Sequence, residues 1–354
     1  MTHTQIKLFS SFVLICGLSA GVACGQRPIV QPAAYPSNIG SLSAFQADNS
    51  ATVAPAPGYE SVVDQNAFGD VACGGECGNS CELDSLFGFG LIKRSDHCFS
   101  DFISPMTNPV FFEDPRSNTE ARFIFWDHNV PTAAGGGDVN LYALQLRARL
   151  TDYVSLIATK DGYVTSSNPL INNGWADLAV GLKFNLLRNV CRQRLLSGGF
   201  TYEMPTGEAS AFQGNGDGEF NFFLTAGTRL GNRSHWISAG GLRIPANDTD
   251  ESTSAYWSNH LDYRFARRWY VLTELNWYHW LSSGLDGPLP GIEGLDVINF
   301  GNPGVSGNDI VTNAYGIKFK PNCHNELGLA WEFPLTDRRD IIDNRLTADW
   351  IIRF

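Results

Sequence analysis

The side chains best suited to chemistry fall into three groups. Ser258, His260 and Asp262 alternate along one short segment. Serine, histidine and an acid are the parts of a hydrolase relay, which works only when nucleophile and base touch. Same-face neighbours on a strand stand roughly 7 Å apart, so this spacing strains a direct contact. A polar cluster is the expected outcome, and no catalytic residue and no enzyme activity is assigned. Cys73, Cys77 and Cys81, with His97 and Cys98 downstream, have a spacing that invites zinc. An exported chain meets an oxidising compartment, where disulfides are favoured over metal; the pairing of these thiols stays open. The GNGDG run at 214–218 resembles a calcium loop but lacks the spaced carboxylates and closing Glu that such a loop needs. It reads as a flexible outer loop, and no cofactor or metal ligand is assigned.

The larger signal is a set of charged residues at every second position. It comprises Arg122, Arg147 and Arg149, then Asp177, Lys183 and Glu203. Glu219, Arg229, His260, Asp262, Arg264 and Glu274 follow, and the set ends with Lys318, Glu326, Glu332, Arg345 and Asp349. Glu120, His235 and Arg243 share the same parity. The opposite parity is apolar, as in Leu178, Val180, Leu182, Phe184 and Leu186. Period-two alternation describes strands with one oily and one wet face. A charge placed in hydrocarbon is costly unless paired, so the charged face must line an interior. These residues are expected to line a lumen, either as a selectivity surface or as a salt-bridged scaffold.

Twelve such segments follow one another at approximately 119–128, 139–150, 153–161, 175–187, 195–205, 219–230, 233–245, 254–266, 268–280, 309–320, 324–334 and 341–354. Short turns, as at Gly231-Asn232, alternate with long connections at 162–174, 206–218, 246–253 and 281–308. That two-sided asymmetry predicts an all-β fold: a transmembrane antiparallel up-and-down β-barrel of about twelve strands. Trp350, Ile352 and Phe354 put aromatic and apolar residues on one face of the last strand. They form an expected sorting signal for the barrel-assembly machinery. Cys191 and Cys323 fall in short turns six strands apart. A disulfide needs Cα atoms within about 7 Å, so these two are expected not to pair with each other.

The ends and the bulk numbers complete the expectation. Residues 1–25 carry Lys7, an apolar run and small residues, which is a secretory signal peptide. Residues 26–81 are Pro-, Ala- and Gly-rich and read as a flexible, Cys-bearing periplasmic leader. Residues 82–118 hold many aromatics among prolines and are too apolar for a linker, so they are expected to plug the barrel or dock beneath it. Residues 119–354 form the barrel. With 36 acidic residues against 25 basic ones, a net charge of −11 argues against nucleic acid.

One stretch adds a resemblance. Met204-Pro205-Thr206-Gly207 ends a strand, a loop with Gly214, Asn215 and Gly216 follows, and Leu230-Gly231 makes a tight turn. This arrangement is similar to the MetA-pathway of phenol degradation family of outer-membrane β-barrel channels. The likeness is specific near 200–245 and extends over about 120–354. The Cys-bearing leader and the DFISPMTNPVFFEDPR segment depart from that family and resemble planctomycete-type envelope proteins. The resemblance implies a channel for small, often aromatic or hydrophobic, molecules.

Together these readings place the chain in the bacterial outer membrane, with its leader in the periplasm and lipid around the barrel. The expected function is passage of small solutes; the alternative is a closed anchoring barrel that binds an envelope partner. The transported solute, the oligomeric state, lipidation of Cys24 and the openness of the pore are left open.

Overall fold

Alternation of side chains across a strand lets one sheet present oil outward and charge inward, and closing the sheet removes its edges. The computed structural model describes residues 90–354; the expected signal peptide and leader, with Cys24, Cys73, Cys77 and Cys81, lie outside the described residues. Fourteen strands form one antiparallel sheet. They are β1 (Glu120–Asn129), β2 (Asp138–Arg149), β3 (Val154–Lys160), β4 (Tyr163–Ser166), β5 (Gly174–Trp175), β6 (Leu178–Asn189) and β7 (Arg194–Met204). The second half is β8 (Glu219–Leu230), β9 (Ser234–Pro245), β10 (Ser254–Ala266), β11 (Trp269–Trp280), β12 (Asp309–Phe319), β13 (Asn325–Pro334) and β14 (Asn344–Arg353). The ring closes because β1 pairs with β14 on one side and β2 on the other.

Twelve staves make the wall, because two staves are each built from two strands. β2 pairs with β3 near its end and with β4 near its start. β5 pairs with β4, and β6 pairs with β3. The expected strands 219–230 and 254–266 match β8 and β10. The expected loop 162–174 is shorter than its sequence suggested, because the chain breaks only at Asp161-Gly162 and then rejoins β2 as β4. At the other end of the sheet, 341–343 is a turn and β14 begins at Asn344. At the break Gly162 has φ +120°, a conformation open to glycine. A Cβ there would stand 2.5 Å from the Tyr142 carbonyl oxygen. The Asp161 carboxylate replaces part of the missing ladder by accepting from the Leu144 N–H at 2.8 Å.

The outward face is apolar and aromatic. Leu146, Leu156, Phe222, Leu224, Leu261, Val271, Leu329 and Trp331 are all exposed there. Trp350 stacks on Phe123 across the β1–β14 seam, with ring centroids 5.7 Å apart. Phe354 is also exposed, while Ile352 is half-buried.

Residues 94–118 rise through the lumen from the short-turn end and return to β1. The one helical feature of 94–118 is a single 3₁₀ turn at His97–Phe99. Asn108 has φ +51° at the top, a left-handed position that Asn tolerates, and its carbonyl accepts from the Phe111 and Phe112 N–H groups. Phe99, Phe102 and Phe112 pack with Leu195 and Ile237, whereas Ile103 and Met106 pack with Tyr270 and Leu272. Cys98 and Cys323 each take part in a disulfide. The whole segment is therefore packed into the wall from within.

Replacing Gly162 with Ala should destabilise the barrel by about 1–3 kcal/mol, since the left-handed backbone is held where a Cβ collides. A lower urea midpoint for Gly162→Ala than for wild type in refolded protein checks this; an unchanged midpoint contradicts it.

Candidate functional site

The inward parity carries the charges. Arg122, Arg147, Arg149, Asp177, Lys183, Glu219, His260, Asp262, Glu274, Lys318, Glu326, Glu332, Arg345 and Asp349 are buried. Glu203 and Arg264 are half-buried. Arg229 departs from the expected lining: it is exposed, because it lies at the short-turn end of β8, where water reaches its side chain. Asp177 also takes a different part. Its carboxylate accepts from the Gly207 and Gly214 N–H groups and ties down the 205–218 loop. That loop is anchored at its base by this side chain, where a flexible loop was expected.

Arg122, Arg147, Lys183, Arg264, Glu274 and Glu326 grip residues 94–118 directly. Glu113 binds Arg147 at 2.6 Å and Lys183 at 2.7 Å. Lys183 also donates to the carbonyls of Asp114 and Arg116. Glu326 accepts from the Ser104 N–H at 2.8 Å while pairing with Lys318 and Arg353. Arg122 pairs with Asp349 at 2.8 Å and donates to the Pro105 carbonyl. Arg353 pairs with Glu120 at 2.9 Å. The Lys320 ammonium donates to the carbonyls of Ser100 and Phe102. Burial pushes that ammonium down to about 7, against the pull of Glu326. Glu113 is held at about 2, because Arg147 and then Lys183 outweigh the upward push of burial.

Sequence reasoning assigned no role to Asp101, Glu113, Asp114 and Arg116. The available signal was the Glu113-Asp114-Pro115-Arg116 run inside an otherwise apolar segment. Three charges there require buried partners: Arg147 and Lys183 of the wall take Glu113, while Asp114 and Arg116 take each other.

Ser258, His260 and Asp262 do not assemble as a relay. The Ser258 hydroxyl accepts from the Asn108 side-chain amide at 2.9 Å. His260 does reach Asp262, at 3.2 Å, which the strand spacing had argued against. The imidazole is long enough to bend along the face and close that gap.

The long-loop end is covered as well. The 281–308 connection folds inward: Asp296 pairs with Arg345 at 2.8 Å, and Arg243 donates to the Leu295 carbonyl. Asn299 links Glu219 to the Ser252 backbone. Between this lid and the plug lies an apolar layer that includes Val110, Phe111, Trp126, Leu141, Val164, Tyr256 and Val297. Phe111 stacks on Tyr256 and lies under the Arg243 guanidinium.

The wall beside that layer is thin at the β3–β4 break. A groove of about 660 Å³ on the outer face is lined by Phe123, Phe125, Tyr142, Trp175 and Trp350, with Asp161 and Gly162 at the break. A small inner cavity of about 20 Å³ is lined by Val110, Trp126, Leu141 and Val297 together with Gln145, Lys160 and Asp296. Both share Ile124, Ala143, Asp161 and Ala176 as lining.

No protein-family model matches the chain, so the resemblance read near 200–245 has no such match behind it. No curated protein matches it. Among solved structures it is similar to an outer-membrane channel from Pseudomonas putida F1, with 14% identity and a TM-score of 0.49 over 72% of this chain and 100% of that one. It is also similar to the KdgM porin, with 10% identity and a TM-score of 0.41 over 66% and 99% of the two chains. For the NanC porin the values are 7% identity and a TM-score of 0.43 over 67% and 98%. These overlaps are partial, and the closed ladder of the chain's own strands defines its architecture.

Glu251 gives the lid a sign for its pH dependence. Its carboxyl is buried with one oxygen, Oε2, unpartnered. Burial, then Glu219 and Glu203, raise it to about 8. A raised carboxyl favours the closed lid fully below the ordinary carboxylate range, and that support is lost as pH rises through about 8. Protease cleavage within 281–308 should therefore rise from about pH 5 to about pH 8 in wild type relative to Glu251→Gln, and level off above that. Parallel pH profiles for the two proteins would contradict this.

Proposed function

We propose that this protein is a bacterial outer-membrane barrel that passes small solutes when its internal plug yields, with apolar or aromatic molecules favoured. The apolar outer band supports a membrane location, because exposed Leu, Phe and Trp on every side suit lipid and not water. The exposed aromatic edge of β14 supports recognition by the barrel-assembly machinery. One observation carries the solute reading: a small inner cavity, lined by Trp126, Leu141 and Val164 with Gln145, Lys160 and Asp296 among them, shares a wall with the outer groove at the β3–β4 break. A polar solute would have to cross the paired charges of the plug. An apolar solute meets Trp126, Leu141 and Val164 within, and Phe123, Tyr142 and Trp350 outside. The path between them needs a local shift of Ile124, Ala143 and Ala176.

The number of charges that hold the plug favours a second reading, a closed barrel that anchors the N-terminal chain for an envelope partner. Proteoliposomes separate the two. The channel reading predicts faster entry of a small aromatic alcohol than of a sugar of similar size, relative to protein-free liposomes. Entry rates equal to those of protein-free liposomes for both solutes would support the anchor and overturn the channel.

A further inference from the structure

Two buried histidines connect the plug to the wall through an unbroken line of carboxylates. Asp101 of the plug faces the His235 Nε2 at 3.1 Å. The His235 Nδ1 faces Asp262 at 2.8 Å. Asp262 then faces the His260 Nε2 at 3.2 Å, and the His260 Nδ1 faces Glu274 at 2.6 Å. Glu274 ends the line on the plug again, where it accepts from the N–H groups of Met106 at 2.8 Å and Thr107 at 2.6 Å. The Phe102 ring of the plug lies against the His235 ring, with centroids 4.4 Å apart.

Donor counting fixes the state of both rings. A neutral imidazole has one N–H and one lone pair, whereas the charged ring has two N–H groups. All four ring nitrogens here face carboxylate oxygens. A lone pair at any of them would oppose an anion, so both rings are doubly protonated. Charge then balances locally. Arg264 binds Asp101 at 2.6 Å, so one guanidinium and two imidazolium ions meet three carboxylates.

We propose that the Asp101–His235–Asp262–His260–Glu274 line is a proton-operated latch that holds the plug while both rings are charged and releases it as they lose protons. The latch concerns the regulation of the channel proposed above, yet its operation is measurable without transport. Loss of the His235 proton leaves a lone pair against either Asp101 or Asp262. Loss of the His260 proton leaves Glu274 or Asp262 uncompensated, and Glu274 is the carboxylate that clamps the plug backbone. Other titratable groups facing the line are Tyr270, which donates to Asp101, and Lys320, which holds the carbonyls of Ser100 and Phe102. Lys320 loses its charge in the same direction of pH, so it must be separated from the histidines.

Hydrogen exchange of plug amides 101–108 in the full-length protein provides the test, with rates divided by those of an unstructured peptide of the same sequence. Between about pH 6 and about pH 10, wild-type protection should fall at least about tenfold, the effect of losing one charge-assisted hydrogen bond. Lys320→Met should retain that fall. His235→Gln combined with His260→Gln, made together with Lys320→Met, should start with lower protection and show no step. Asp101→Asn lies on the plug, outside the folding of the wall, and should reduce the step. Flat wild-type protection across this range, or an unchanged step in Asp101→Asn, would overturn the latch. Single-channel current recorded in parallel reads the channel proposal separately: a protection step without current supports the latch and counts against the channel.

Discussion

A buried charge must find a partner, and the interior of this barrel is organised by that requirement. Taking one partner from a buried ion pair costs roughly 3–5 kcal/mol, because the remaining charge is stranded away from water. The wall presents Arg122, Arg147, Lys183, Glu274, Lys318 and Glu326 inward, and the plug presents Asp101, Glu113, Asp114 and a row of backbone groups. Part of each set is met internally, as where Asp349 takes Arg122 and Lys318 and where Arg116 takes Asp114, whereas Glu113 and Asp101 find their partners on the wall. Glu113 between Arg147 and Lys183 is the clearest case, since one carboxylate bridges two cations from different staves. The plug is thus the counter-surface of the lumen and completes its charge balance.

The same requirement separates two layers along the axis. Toward the short-turn end the contents are ionic, around Glu326, Asp349, Arg353 and Lys318. Above them the interior is apolar, from Val110 and Phe111 to Trp126 and Val297. The lid returns to charge with Asp296 on Arg345 and Arg243 on Glu219. The wall next to the apolar layer is also where the ladder is interrupted, at Asp161 and Gly162.

The strands were legible because period-two alternation needs no tertiary information: 176–186 and 219–230 announce their faces residue by residue. The inward parity followed, and it put His260, Glu274, Lys318 and Arg345 on the interior face where they are buried. What alternation does not encode is the content of the lumen. Residues 94–118 have no period, so their route and their contacts were invisible, although their aromatics and prolines marked them as packed. The inward fold of 281–308 was hidden for the same reason, since Leu295, Asp296 and Val297 lie in an irregular segment. The Asp161-Gly162 break was also missed, because a glycine in a strand-like run signals a bulge only after the neighbouring strand is known. Arg229 shows the limit of parity near a rim, where position along the strand decides exposure.

The central claim is that the plug, held by paired charges, decides whether this barrel conducts. Single-channel recording of refolded protein in planar bilayers tests it most directly, with Glu113→Gln as the comparison. Wild type should show small or rare current steps. Glu113→Gln, which leaves Arg147 and Lys183 short of an anion, should show larger or more frequent ones. Insertion of both proteins with identical currents, or with none, would contradict the account.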